Sequence, residues 1–415
     1  MPLLLGSKGK DILEWRASNE LIDGIRERLE GRWGRSSTRK AEGVMREYLA
    51  LLDEELAFEE EFAGELAALE TAAGEAADCP ELRALLRRHQ ELVSAYFRRR
   101  GSVLAMTGSC NRFHDRVLAR ATALARGRMA SLGQGEPPSY ALLVSGDRGR
   151  GEQTLVSDNR YLLLYLEDSP RALLFSRQLT EALKESGILT GDHLFWHGPL
   201  TRWRVIVEGS SPSISDDDFP RSPLVDAPHE FPEWEWRLEA ICDLAFAGGD
   251  QKLAATALEA ARAALLEERY RAGFMELARR IITLPLALGR FGRWRLEKEG
   301  DHRGELDLQQ LALSPLVMTV RVLAVQAGIA PGGTVERVQA LLERGALSVD
   351  LSDRLLKAYQ LLMQLRIKAE LTTGERGAYL NTEELGSEED ERLRGVLDTV
   401  LNLQKISYQR LVGMA

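Results

Sequence analysis

Hydrophobic positions along this chain change period twice. Up to about residue 128 they recur at helical spacing. In residues 48–69 leucines and phenylalanines fall three and four apart. Residues 80–100 place Leu82, Leu85, Leu86, Leu92, Val93 and Phe97 on one stripe, with Pro80 in the first turn. A further helix is expected from Met106. An up-and-down bundle of about four helices fits this region, either as a scaffold or as a regulatory, partner-binding unit.

After GQGEPP (residues 133–138) the period shortens. Residues 140–144 and 161–166 have strand length and composition, with a glycine-rich polar loop between them. Residues 170–187 read as a helix entered through Ser169 and Pro170 and ended by Gly187. WRVIVEG, from Trp203, is expected to be a strand, and residues 210–232 read as loop. From Gln251 the helical period returns and continues through four more helices, with Gly345 and Gly374 as stops and Thr334 as an N-cap. Arg337 stands where a capping box would place Glu. The expected organisation is α+β: a helical region 1–132, a small α+β domain 133–250 and a helical domain 251–415.

Composition narrows the function classes. A chain of 415 residues suits two or three domains, and 44% apolar with 28% charged residues is ordinary for a globular protein. The 54 basic and 63 acidic residues give a net charge of −9, which argues against nucleic acid as the main partner. Cys79, Cys110 and Cys242 form neither a disulfide framework nor a CxxC module, which suits a reducing compartment. MPLLLGSKGK lacks the pattern of a secretory signal, and no apolar run approaches the ~18–20 residues of a membrane span. A cytoplasmic protein without a membrane partner is expected.

The segment with chemical content is Gly146-Asp-Arg-Gly-Arg-Gly-Glu-Gln-Thr-Leu-Val-Ser-Asp158. Gly146 and Gly149 allow close backbone approach to a phosphate, Arg150 and Arg148 can add charge-assisted contacts, and Ser157 and Asp158 stand where a carboxylate can hold Mg²⁺ against a triphosphate. The Gly-Lys-Ser/Thr of a Walker loop is missing. Taken alone, the segment fits an exposed hairpin connection equally well. Several other groupings read as packing or surface residues rather than sites: His193 with His197, Cys110 with His114, Ser145, Trp234 with Trp236, Asp216 to Asp218, and the arginines 290, 293 and 295 around Trp294.

GDRGRGEQTLVSDNR resembles the signature Gly-Ser-x-Gly-Arg-x-Glu-Gln-Thr-Leu-x-Thr-Asp-x-Asp of the bacterial DUF294-type nucleotidyltransferases. These are relatives of the PII-protein uridylyltransferase and the glutamine-synthetase adenylyltransferase. Gly146, Gly149, Arg150, Glu152, Gln153, Thr154, Leu155 and Asp158 fall on matching positions. ICDLAFAGGD resembles a later strand of that family, and two C-terminal segments resemble its helical domain, so the likeness spans roughly residues 30–410. It implies a small polymerase-β-like domain between helical domains. It also implies Asp158 and Asp243 as catalytic metal ligands, Gly146, Gly149, Arg150 and Ser157 around the nucleotide, and Mg²⁺ with ATP or UTP as cofactors.

The departures bear on activity. Paired carboxylates at i and i+2 share one face of a strand and hold two metal ions. Here Arg160 follows Asp158 at i+2, and a guanidinium cannot ligate a metal. Asp147 replaces the serine of the first loop, and a carboxylate there repels a triphosphate. Ala245 replaces an arginine near Asp243. Glu152, Glu167, Asp168 and Asp243 are the acids available to a rebuilt site. Glu152 can instead pin the loop through backbone N–H groups or Arg150. The expected function is a nucleotidyltransferase-fold protein, weakly active or inactive, serving as a regulatory or protein-interaction module. The alternative is a Mg²⁺-dependent enzyme that moves a nucleoside monophosphate from ATP or UTP to a protein or small molecule.

Overall fold

A computed structural model describes residues 38–157, 159–191, 194–208, 242–266, 271–289, 292–329, 332–374 and 379–413. Asp158, His193, Asp216 to Asp218, Trp234, Trp236 and Arg290 lie outside the described residues.

Three helices open this part of the chain: α1 (Thr38–Glu75), α2 (Cys79–Arg100) and α3 (Val103–Ser131). Asp78 caps α2 by accepting from the Glu81 N–H at 2.9 Å, Pro80 lies in its first turn, and Gly101 ends it in the left-handed conformation. Strands β1 (Tyr140–Gly146) and β2 (Asn159–Tyr165) follow, then α4 (Pro170–Glu185), β3 (Phe195–Pro199), α5 (Leu200–Glu208) and β4 (Ala245–Gly249). The four strands form one sheet in the order β3-β2-β1-β4. Strand β1 runs antiparallel to β2 and β4, and β2 runs parallel to β3. This mixed sheet with helical flanks is the α+β class the sequence implies.

Strand alternation sorts the sheet's side chains into two cores. Leu142, Val144, Tyr161 and Leu163 face α1 to α4, where they meet Leu82, Phe113, Val117 and Leu179. Ala141, Leu143, Leu162 and Leu164 face Trp203 and Val207 of α5 and Leu253, Ala257 and Ala261 of α6 (Gln251–Leu266).

Residues 203–208, expected as strand, are helical. Trp203 and Val207 are four apart and both enter the second core, and the Trp203 indole N–H donates to the Ala257 carbonyl at 3.1 Å. Packing at i, i+4 thus overrides the strand preference of the branched residues. The strand is the preceding FWHGP, with Pro199 as the last residue of a strand that pairs on one side only among the described residues, a position where proline is tolerated.

The remaining elements are α7 (Arg271–Ile282), a two-residue strand β5 (Leu306–Asp307), a π-helical turn (Gln309–Leu313), α8 (Ser314–Gln326), α9 (Thr334–Glu343), α10 (Val349–Thr373), β6 (Tyr379–Leu380) and α11 (Ser387–Gly413). Gly345 and Gly374 follow α9 and α10 in the left-handed conformation, as their stop role requires. Gly333, not Thr334, is the N-cap of α9. The largest core lies among α8 to α11, around Leu316, Val320, Leu355, Leu362 and Leu397. Val93, Phe97, Val103, Met106 and Cys110 of α2 and α3 enter it as well, so these two helices serve both the sheet and the C-terminal bundle. Among the described residues, no helix is long and apolar enough to cross a membrane.

Candidate functional site

Strand β1 ends at Gly146 with φ 85, and the chain turns at once into the glycine-arginine loop. Backbone bonds close the turn: the Arg150 N–H donates to Gly146 at 3.1 Å, Gly151 to Arg148 at 3.0 Å and Glu152 to Asp147 at 2.7 Å. Gly149 lies so close to the Asp243 carbonyl and to β1 that any Cβ there would collide with backbone. Helix α3 clamps the outer side. Asp115 accepts from the Arg148 guanidinium at 2.7 and 2.5 Å, and the Asn111 amide donates to the Gly151 carbonyl at 2.5 Å. The Arg148 N–H donates to Asn159 at the start of β2, 2.9 Å away.

The inner side of the loop meets the C-terminal bundle in a buried network that holds, among the described residues, four guanidiniums and four carboxylates. Arg150 donates to Asp147 at 2.5 Å, to Glu152 at 2.7 Å and to Asp243 at 2.8 Å. Arg321 of α8 donates to both oxygens of Asp243, at 3.2 and 2.5 Å. Arg337 of α9 reaches the same carboxylate at 2.9 Å and the Cys242 carbonyl at 2.9 Å. Arg366 of α10 donates to Asp147 at 2.7 Å and to Glu370 at 2.8 Å. Glu370 also accepts from the Thr154 hydroxyl at 2.9 Å, and Glu152 from the Thr334 N–H at 2.5 Å. Glu152 therefore places a carboxylate at the N-terminus of α9, where the helix dipole favours negative charge.

Asp243 and Arg321 are each 0% exposed, so both depend on this pairing. Burial pulls the Asp243 carboxyl upward, but the Arg321, Arg337 and Arg150 guanidiniums outweigh it and hold it well below the usual carboxylate range. Burial disfavours the charge on Arg150 as well; Glu152, Asp243 and Asp147 reverse that and raise it well above its ordinary value. Burial lifts the Glu370 carboxyl above its ordinary value despite Arg366 beside it.

The sequence-predicted site residues fare differently. Gly146 and Gly149 shape the turn, and Arg150 reaches carboxylates. The Ser157 hydroxyl accepts from the Thr154 N–H at 3.0 Å. Asp243 sits at the centre of the network, and Arg160 faces Ser145 across the β1–β2 ladder. Glu167 and Asp168 are exposed beyond the far end of β2. Glu152 pins the loop through both Arg150 and a backbone N–H, one of its two expected uses.

Of the other groupings, Cys110, His114, His197 and Trp294 lie among the described residues and make packing contacts. Burial, with the Glu370 charge adding to it, pushes the Cys110 thiol up to about 12. The His114 ring lies 2.7 Å from the Tyr161 hydroxyl. His197 lies 3.1 Å from the Tyr165 hydroxyl, and Trp294 donates to Asp390 at 3.0 Å. Among the described residues, no group of three or more His, Cys, Asp and Glu side chains is arranged to hold a metal ion.

Sequence reasoning missed Arg321, Arg337, Arg366 and Glu370. Two signals were present. Arg321 interrupts the run LVMTVRVLAV, where a charge has to find a buried partner, and Arg366 with Glu370 forms an i, i+4 pair on a helix with apolar neighbours.

Comparison with protein families matches residues 87–210 to "Putative nucleotidyltransferase DUF294" and residues 271–411 to "Putative nucleotidyltransferase substrate binding domain". Comparison with curated proteins finds no match. Asp147, Arg150 and Glu152 lie in the first matched segment, and Arg321, Arg337, Arg366 and Glu370 lie in the second.

Proposed function

This chain belongs to the DUF294 nucleotidyltransferase family, and from that premise we propose that it is a nucleotidyltransferase-fold module, weakly active or inactive, that serves regulation or protein interaction. One observation carries this reading. Both oxygens of Asp243 accept from guanidiniums, three of them in all. A metal ion needs carboxylate lone pairs that point at it, and here they point at Arg150, Arg321 and Arg337. It would also have to enter beside three fixed positive charges. The donor set around Asp243 therefore does not suit Mg²⁺. Arg150, the loop's candidate phosphate ligand, is spent on Asp147, Glu152 and Asp243. Glu152 and Thr154 of the signature are used to join the sheet domain to α9 and α10. The former cleft then works as a joint, and the surfaces it fixes are what a partner would read.

Calorimetry with ATP and with UTP, each with and without Mg²⁺, tests this. We expect no Mg²⁺-dependent heat and no release of pyrophosphate. Mg²⁺-dependent nucleotide binding that disappears in Asp158→Ala would overturn the reading and restore the enzyme.

A further inference from the structure

The network contains one acid that the family resemblance places as serine: Asp147. Its carboxylate bridges two guanidiniums from opposite halves of the molecule, Arg150 of the loop on one oxygen (2.5 Å) and Arg366 of α10 on the other (2.7 Å). It is 5% exposed. Two converging guanidiniums at the turn of a glycine-rich loop are a recognised chemistry for an oxyanion. Here the oxyanion belongs to the chain.

We propose that the Asp147 carboxylate is a tethered anion that plugs a phosphate-sized position between Arg150 and Arg366, so that the chain itself keeps a phosphate-bearing ligand out of the loop. The pairing supports this assignment. Among the described residues, Asp147 accepts from both Arg150 and Arg366. Without it, each of these guanidiniums loses an acceptor inside a buried site. An uncompensated buried guanidinium is costly, and an external anion of the right shape offsets that cost. The inference rests on the non-catalytic reading above and adds the residue that enforces it.

The test compares wild type, Asp147→Ser and Asp147→Ser/Arg366→Gln as full-length chains. Thermal melting and calorimetry are run with inorganic phosphate, tripolyphosphate, ATP, acetate and sodium chloride at matched ionic strength. We expect Asp147→Ser to melt lower than wild type, to recover with phosphate or tripolyphosphate, and to bind tripolyphosphate at least about tenfold more tightly than wild type. The added Arg366→Gln change should abolish that gain. If ATP binds as tripolyphosphate does, a nucleotide's phosphates are a sufficient source. If only the inorganic anions bind, the position takes phosphate without a nucleoside.

Three results overturn the proposal. The first is a folded Asp147→Ser protein that binds no more tightly than wild type. The second is a gain that survives Arg366→Gln. The third is rescue by acetate alone, which would mark a hole shaped for a carboxylate. If Asp147→Ser does not fold, Asp147→Asn replaces it, and failure of both to fold in phosphate counts against the plug. Robust wild-type Mg²⁺-dependent turnover would instead defeat the functional reading itself, so the two failures are separable.

Discussion

The C-terminal bundle core and the charged seam beside it solve burial in opposite ways. In the core, Leu316, Val320, Leu355, Leu362 and Leu397 exclude water without directional partners, so each contributes in proportion to the area it hides. In the seam, eight charged groups are buried among the described residues, and the cost of removing them from water is offset only while every group keeps its partners. A core of the first kind degrades gradually when side chains shrink. A seam of the second kind adds little net stability while intact and fails steeply when one member is lost. Packing of the loop against α8 to α10 at this surface therefore depends on particular partners rather than on apolar area alone.

The largest expected effect breaks the seam at its hub. Asp243→Ala removes a buried carboxylate shared by three guanidiniums and should cost about 3–5 kcal/mol in denaturant unfolding. Leu362→Ala in the bundle should cost a comparable ~2–5 kcal/mol through its cavity. The two losses differ in repair. Adding Arg337→Met to Asp243→Ala should recover part of the loss, because one unpaired charge goes with it. Adding Arg337→Met to Leu362→Ala should only lower stability further. Equal behaviour in both backgrounds would erase the distinction between seam and core.

Acid sharpens the contrast, because the leucine and valine side chains of the bundle core do not titrate whereas buried polar groups do. Burial holds the His89 imidazole down to about 4 from its ordinary 6.5. Between those values the unfolded chain takes up a proton that the folded chain refuses, so stability should fall as pH drops through this window. Asp243 is depressed below the ordinary carboxylate value, so its contribution is present above about pH 4 and is lost on further acidification. Thermal melts from pH 7 to pH 3 should show both declines. His89→Gln should flatten the upper one and Asp243→Asn the lower one.

The smallest effect belongs to an exposed pair. Arg126 donates to Glu136 at 2.9 and 2.7 Å, but with side chains 47% and 68% exposed the pair is screened by water. Replacing either partner with Ala should change stability by no more than about 1 kcal/mol. A loss matching that of Asp243→Ala would show that burial is not what gives the seam its weight.

The helices α8 to α11 and the strands β1 and β2 were legible because their apolar periods of 3.6 and 2 are local properties of the chain. Helix α5 was misread because the branched residues of WRVIVEG favour a strand until Trp203 and Val207 find a common core. Gly149 was legible as a close-approach glycine, although what approaches it is the Asp243 carbonyl. Asp147 was read as an unfavourable charge beside a ligand, and nothing local revealed that Arg366, far along the chain, would answer it.

The sequence by itself therefore determined most of the elements, the α+β class and the glycine-arginine loop that marks the family, since period and short motifs are carried by neighbouring residues. Only the tertiary structure decided what the loop's charges do. Arg321, Arg337 and Arg366 reach Asp243 and Asp147 across separations of 78, 94 and 219 residues. A buried carboxylate's chemistry is set by whichever cation the fold brings within a hydrogen bond of it, and no local pattern encodes that meeting.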